Sequence, residues 1–536
     1  MSSVSIRVSK LKKVFKTGKV GLAECSFEIE SNTLTAILGP SGCGKSTLLK
    51  ALIGDSTKTS GKIHIAGIEL NEKNYDLIKT HISYVPQDDI VHHDLTVEQC
   101  LTFSAHLRLS DLQFEEQQKR IDEVIFELKL SQLKNQLISE ISGGERKRVA
   151  IGVEILTKPK VLFLDEPTSP MDPQTIEDFH KILRKLSQNG TTVLMVTHKP
   201  EDLVFMDDCI FMSVGGYITY KGKPSDLLNF FKKDNILQVY SIMGIKKYST
   251  SLNSPLTAVE TNRNNFNSKR HTNYFSQSYW LTKRYIKRKS NDLDTLAIQI
   301  GQSVIIAFLI RLIFKDLDQV VLFFIVISAI WFGTNNAAKE IVSEINIFKR
   351  ERMYNQGIIP YIFSKLIVLS SIGLVQSFIF IKIISDAYVN SYLPFTSPIN
   401  IIFWMFGITI VSTLLGLAIS ALSSSAEKVM GIIPIVLIPQ IMLSGILVKM
   451  STLFIKTLSF LMISRWGMTG ISRIQTEIVS HVESRRINSL AFLRGNLGET
   501  YDFYVNNTFE VFILIIQGII FFIFIYFILK LRFRNQ

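Results

Sequence analysis

Apolar and polar positions follow two different regimes along this chain. Up to about residue 290 the pattern is mixed, with short apolar runs broken by charged and Gly-rich stretches, as in a globular protein. Residues 34–38, 161–164 and 192–196 are near-continuous apolar runs of strand length. Such runs predict strands buried on both faces, as in a parallel sheet. Residues 4 to about 30 read as short strands joined at Lys16-Thr17-Gly18, and residues 48–53 as the start of a helix. From about residue 295 the apolar runs lengthen. Runs near 295–313, 319–337, 362–384, 400–422, 430–448 and 509–530 each supply roughly 20 residues of helix, enough for about 30 Å of hydrocarbon. Residues 453–463 are apolar but too short to span, which suits a re-entrant or interfacial element.

Between the two regimes, residues 249–278 are rich in Asn, Ser and Thr and read as a polar linker. Residues 279–289 are aromatic and basic, the composition of an interfacial helix ahead of the first span. The division expected is therefore a globular domain at 1–248, a linker at 249–278 and an all-α membrane domain of about six helices at 279–536.

Charge supports this division. The 536 residues are 47% hydrophobic and carry a net charge of +13. The basic excess clusters beside the apolar runs, at Lys283, Arg284, Lys287, Arg288 and Lys289, at Lys349, Arg350 and Arg352, and at Lys530, Arg532 and Arg534. That placement fits the positive-inside rule with both ends cytoplasmic, and argues against nucleic acid as the partner. The long outer segment, about 449–508, is exempt from that rule. Residues 1–10 show no apolar core of a signal peptide. The four cysteines, Cys25, Cys43, Cys100 and Cys209, lie in the globular half without metal-ligand spacing, as expected of reduced cytosolic thiols.

The chemistry sits in the globular half. Gly39, Pro40, Ser41, Gly42, Cys43, Gly44, Lys45, Ser46 and Thr47 match a phosphate-binding loop between an expected strand and helix. Its glycines let backbone N–H groups turn toward phosphates, Lys45 reaches the β/γ-phosphates and the Ser46 hydroxyl suits Mg²⁺. The run at 161–164 ends in two carboxylates. Asp165 suits Mg²⁺, and Glu166 is placed to polarise a water aimed at the γ-phosphate. Ser142, Gly143, Gly144 and Glu145 open an expected helix and form a second anion site without a lysine of its own, followed by a basic face. Gln87, after Val85-Pro86, can reach Mg²⁺ or the attacking water with its amide oxygen. His198, at the end of the 192–196 run, can bond the γ-phosphate. Phe15 is either an adenine platform or a packing aromatic.

These pieces, in this order, resemble the nucleotide-binding domain of ATP-binding-cassette (ABC) proteins over roughly residues 4–230. The resemblance implies an α/β P-loop NTPase fold and ATP with Mg²⁺ as ligands. It gives roles to Walker A (39–47), Q-loop Gln87, signature Ser142 to Glu145, Walker B Asp165, catalytic Glu166, a D-loop from Ser169 to Asp172, and switch His198. Pro170 and Met171 depart from the usual middle of that D-loop. Cassette first and membrane domain second resembles the G-subfamily (White-type) half-transporters. Residues 331–340 and 348–352 are similar to bacterial G-type exporters. The resemblance implies an ATPase acting as a homodimer or heterodimer in the cell membrane, with the cassette cytoplasmic. It also implies a lipid-like, hydrophobic or amphipathic substrate, held near Phe332, Asn336 and Gln440. An ATP-gated channel or membrane regulator would use the same cassette.

Overall fold

The computed structural model describes residues 4–54, 58–245 apart from 170 and 172, 273–388 apart from 316 and 318, 395, 397–446, 452–479 and 509–533. Most of the linker, residues 389–394, Asp172 and most of 449–508 lie outside the described residues. The chain divides into two compact units. The first comprises Met1–Thr272 together with Arg350–Gln356, and the second is the helical half.

In the first unit, the strand-length runs become β3 (Leu34–Leu38), β7 (Val161–Asp165) and β8 (Thr192–Val196), every residue of each buried. With β6 (Ile82–Val85), β9 (Asp208–Ser213) and β10 (Tyr217–Gly222) they form a six-stranded sheet of order β10-β9-β3-β8-β7-β6. All its pairings are parallel except the edge pair β9–β10. Burial on both faces explains why these strands read as continuous apolar runs rather than alternating ones. A second, antiparallel sheet of order β2-β1-β4-β5 is built from β1 (Ile6–Val14), β2 (Val20–Ile29), β4 (Ser60–Ile65) and β5 (Ile68–Glu69). One core, including Phe27, Leu48, Leu52, Phe163 and Leu194, joins the two sheets through the helix Lys45–Ile53. The carboxyl ends of β3, β7 and β8 deliver the phosphate loop, the paired acids and His198 to one edge, where open α/β sheets hold ligands.

In the second unit, five helices among the described residues are long and apolar enough to cross a membrane: Leu293–Ile313, Gln319–Ala337, Ile358–Ala387, Pro398–Leu422 and Phe509–Arg532. Ala426–Met442, in the expected fifth span, has 17 residues and two internal prolines, Pro434 and Pro439. Gln319–Ala337 is central, with 72% of its apolar window buried, whereas Leu293–Ile313 and Phe509–Arg532 keep only 22% buried. Its closest neighbour is Pro398–Leu422. A Cβ on Gly333 would lie 2.4 Å from the Thr409 carbonyl, and one on Gly416 2.5 Å from that of Thr334. Small residues at such crossings let two membrane helices pack backbone to backbone.

Two boundaries differ from those expected. The basic aromatic helix begins at Tyr274, inside the stretch assigned to the linker, because the Asn273 side chain caps it by accepting from Phe275 N and Ser276 N. The segment after residue 449 holds two helices, Leu453–Phe460 and Ile463–Val479. The second buries Trp466, Met468 and Ile471 in the core of the helical half. Its charges hid it from an apolar-run reading. Arg465 is absorbed by the Lys456 carbonyl at 3.0 Å and the Ser459 hydroxyl, and Arg473 by Glu510 at 2.7 Å.

Candidate functional site

The phosphate loop leaves β3 through Gly39 (φ +146°) and enters its helix through Gly44 (φ +109°). Both conformations exclude a side chain twice over. A Cβ at Gly39 would sit 2.3 Å from the Met212 carbonyl, and one at Gly44 2.4 Å from that of Gly21. The loop borders a cavity of about 320 Å³ lined by Ser41, Gly42, Gly44, Lys45, Ser46 and Thr47, by Glu166 and His198, and by Phe15 with Lys19, Val20 and Gly21. Lys45 Nζ donates to the Gly39 carbonyl at 2.8 Å and the Pro40 carbonyl at 3.0 Å. Burial pushes its ammonium below the usual lysine range, partly offset by Cys43, Glu166 and Asp165.

Glu166 follows β7 in a left-handed conformation (φ +49°), and its N–H bonds the Val196 carbonyl of β8 at 3.0 Å. Its two carboxylate oxygens have different partners, His198 Nε2 at 2.5 Å and Gln87 Nε2 at 3.2 Å. Gln87 thus presents its amide nitrogen to the acid. Asp165 is buried, and Tyr84 donates to its Oδ2 at 3.4 Å. Burial, then the neighbouring Glu166, raises the Asp165 carboxyl above its usual range. Its Oδ1 is buried without a hydrogen-bond partner. An acid held ready in that way fits a cation ligand.

The Ser142 to Glu145 stretch is not among the walls of this cavity. It opens the helix Gly143–Ile155 through a capping box. The Ser142 N–H and hydroxyl both meet Glu145 Oε2 at 2.8 Å. Gly144 has Met171 and Thr175 3.4 Å from the direction of a Cβ, so Met171 packs beside the start of this helix. The four cysteines are buried, and burial pushes the Cys25 and Cys209 thiols up to about 12.

Two family models match this chain, "ABC transporter" over residues 22–169 and "ABC-2 type transporter" over residues 276–476. The chain combines an ABC transporter cassette with an ABC-2 type membrane domain. It is 27% identical over 465 residues to the ABC transporter ATP-binding/permease protein Rv1747 of Mycobacterium tuberculosis, covering 82% of this chain and 54% of that protein. It is 37% identical to ABC transporter G family member 25 of Oryza sativa (40% of this chain, 22% of that one) and 39% identical to G family member 13 of Arabidopsis thaliana (38% and 30%). The chain thus spans about half the length of the mycobacterial relative, and less of the plant ones.

The ABC cassette holds charged residues that the motifs did not point to. Lys147, part of the basic run that follows Ser142 to Glu145, is fully buried. Its ammonium donates to the carbonyls of Pro86 at 2.9 Å and Gln87 at 2.6 Å and pairs with Asp89 at 3.1 Å. It ties the signature helix to the Q-loop. Two turns further along the same helical face, Glu154 is 1% exposed and receives Arg108 at 2.7 Å and Arg350 at 2.5 Å on one oxygen. Tyr354 donates to the other at 3.2 Å and meets the Ser83 hydroxyl at 2.8 Å. Arg350 and Tyr354 belong to the cassette's compact unit although membrane helices flank them in sequence. The spacing 147, 150, 151, 154 was the available signal, since charges at i and i+7 on an otherwise apolar helical face need buried partners.

The membrane residues expected around a substrate are packed within the bundle. Phe332 is fully buried against Phe380, with ring centroids 5.6 Å apart. Asn336 bridges Gln376 at 2.7 Å and Gln302 at 3.3 Å. The Gln440 Oε1 accepts from Ser464 N at 3.0 Å at the start of the helix Ile463–Val479. These contacts join helix to helix, the common use of polar groups in membranes.

Proposed function

We propose that the chain is one half of an ATP-driven exporter, working as a dimer in the cell membrane with its cassette in the cytoplasm. The observation that carries this reading is the Glu166–His198 pair on the wall of the phosphate-loop cavity, with the signature residues outside that cavity. Lys45 and the loop N–H groups hold the phosphates of ATP. Glu166 accepts the proton of the water that attacks the γ-phosphate. His198 fixes the Glu166 carboxylate and stands beside the same cavity. Ser46 and the unpartnered Asp165 oxygen are the groups to hold Mg²⁺, which neutralises phosphate charge when bound. Phe15, on the same cavity wall, is placed to face the adenine ring. Ser142, Gly143, Gly144 and Glu145 complete the site of a partner cassette, identical or different, and the D-loop around Asp172 belongs to that junction.

Coupling rests on Arg350–Gln356. ATP-driven closure moves Gln87 through Lys147 and the strand carrying Ser83, and the Glu154–Arg350–Tyr354 cluster passes that motion to the chain leading into the membrane helices. A lipid-like or amphipathic cargo fits a membrane half without dedicated charges along its central helices. The test is reconstitution. Purified chain in proteoliposomes should hydrolyse ATP and move a fluorescent lipid or hydrophobic dye, and mixing Lys45→Ala with Gly144→Asp chains should leave activity from mixed dimers alone. ATP-dependent ion conductance without uphill transport would identify a gate instead. Full ATPase activity from a monomer would remove the shared site.

A further inference from the structure

We infer that Asp202 is a positioning residue for ATP hydrolysis, clamping together the two loops that carry Glu166 and His198. The inference rests on the ATPase reading above. Asp202 lies in the turn Pro200–Phe205, after the switch histidine, and is fully buried. One carboxylate oxygen, Oδ2, accepts from both the Thr168 hydroxyl at 3.1 Å and the Thr197 hydroxyl. The other accepts from His180 Nε2 at 2.9 Å. Thr168 comes two residues after Glu166, and Thr197 directly precedes His198. A single oxygen therefore fixes the spacing of the two loops whose side chains meet at 2.5 Å.

The surroundings make this clamp stiff. Thr168, Thr197 and His180 are each at most 2% exposed. The His180 ring stacks on Phe205 with centroids 4.6 Å apart, and its Nδ1 is buried without a partner, so the ring is committed to Asp202 through Nε2 alone. Lys199 adds a second strut, its N–H to the Thr197 hydroxyl at 3.0 Å and its ammonium to the Thr168 carbonyl at 2.8 Å. None of these groups lines the phosphate-loop cavity. Asp202 therefore acts through Glu166 and His198, and displacements of a fraction of an ångström there affect the chemical step more than ATP binding.

The experiment measures kcat and KM for ATP hydrolysis by the purified full chain, with ATP affinity from equilibrium binding on the same samples. Asp202→Ala is expected to lower kcat by about tenfold or more while KM and ATP affinity stay within about twofold. Asp202→Asn keeps an oxygen for both hydroxyls and should recover most of the rate. If Asp202→Ala does not fold, Thr197→Val and Thr168→Val carry the test, each lowering kcat with ATP affinity unchanged. Wild-type kcat in folded variants, or a loss of kcat that merely tracks lost ATP binding, would overturn the positioning role. A wild-type chain without ATPase activity would overturn the ATPase reading, and this inference with it.

Discussion

Glu154 and Glu166 lie on either side of strand β7 and are handled in opposite ways. Glu154 is 1% exposed and is gripped by two guanidinium groups and a phenol. Glu166 keeps 19% of its side chain exposed, faces a cavity, and is held by one imidazole and one amide. Burial alone would raise the Glu154 carboxyl, but Arg108 and Arg350 hold it down at about 2. The first acid is locked as an anion and cannot exchange protons near neutral pH, so it suits anchoring. The second has weaker partners and access to a reacting water, so it suits proton transfer. Closeness to β7 in the chain does not decide what an acid can do; the partners around it do.

The largest effect that would break this comparison is expected at the anchor. Glu154→Ala takes the carboxylate away from the two buried guanidinium groups of Arg108 and Arg350, which should cost on the order of 3–5 kcal/mol of stability. Urea unfolding of the purified chain, followed by circular dichroism and by protease sensitivity of the cassette, measures it. A loss below about 1 kcal/mol would place the cluster with ordinary surface pairs. Glu166→Gln should leave unfolding unchanged, retain ATP binding and lower turnover about a hundredfold, roughly 2.7 kcal/mol of barrier. Turnover near the wild-type rate would remove its role as base.

Smaller changes sharpen the contrast. Lys147→Met leaves the Pro86 and Gln87 carbonyls without their buried donor and should cost about 1–3 kcal/mol. It should also lower ATPase, because Gln87 loses its anchor. Ser142→Ala removes a helix cap and should cost about 1 kcal/mol, readable as a small shift in the urea midpoint. The gentlest probe is pH. The folded-state pKa of Glu154 is depressed, so its stabilising contribution is full above the unfolded value and is lost as pH falls from 4.5 toward about 2. Acid unfolding between those limits should be less steep in Glu154→Gln than in wild type.

Most of the cassette is legible in the sequence. Strands buried on both faces leave continuous apolar runs, and a loop that cradles phosphate needs glycines and a lysine at fixed spacing, so 34–38, 39–47, 161–166 and 192–198 announce themselves. The long membrane helices did so through length. The helix Ile463–Val479 did not, because Arg465 and Arg473 interrupt its apolar run, and only the partners that neutralise them reveal it as core. Phe332, Asn336 and Gln440 were polar or aromatic positions inside spans, and sequence could not say whether they faced a cavity or one another.

The sequence by itself determined the order of the two halves, the class of each, and the spacing of the phosphate-loop and paired-acid motifs, because those are set by local spacing and hydrophobic period. The tertiary structure alone decided which charges are paired. Arg350 meets Glu154 across 196 positions of sequence, and Asp202 gathers Thr168, His180 and Thr197 from three elements. Such pairings depend on how distant elements pack, and no local pattern encodes a partner that only folding brings within 3 Å.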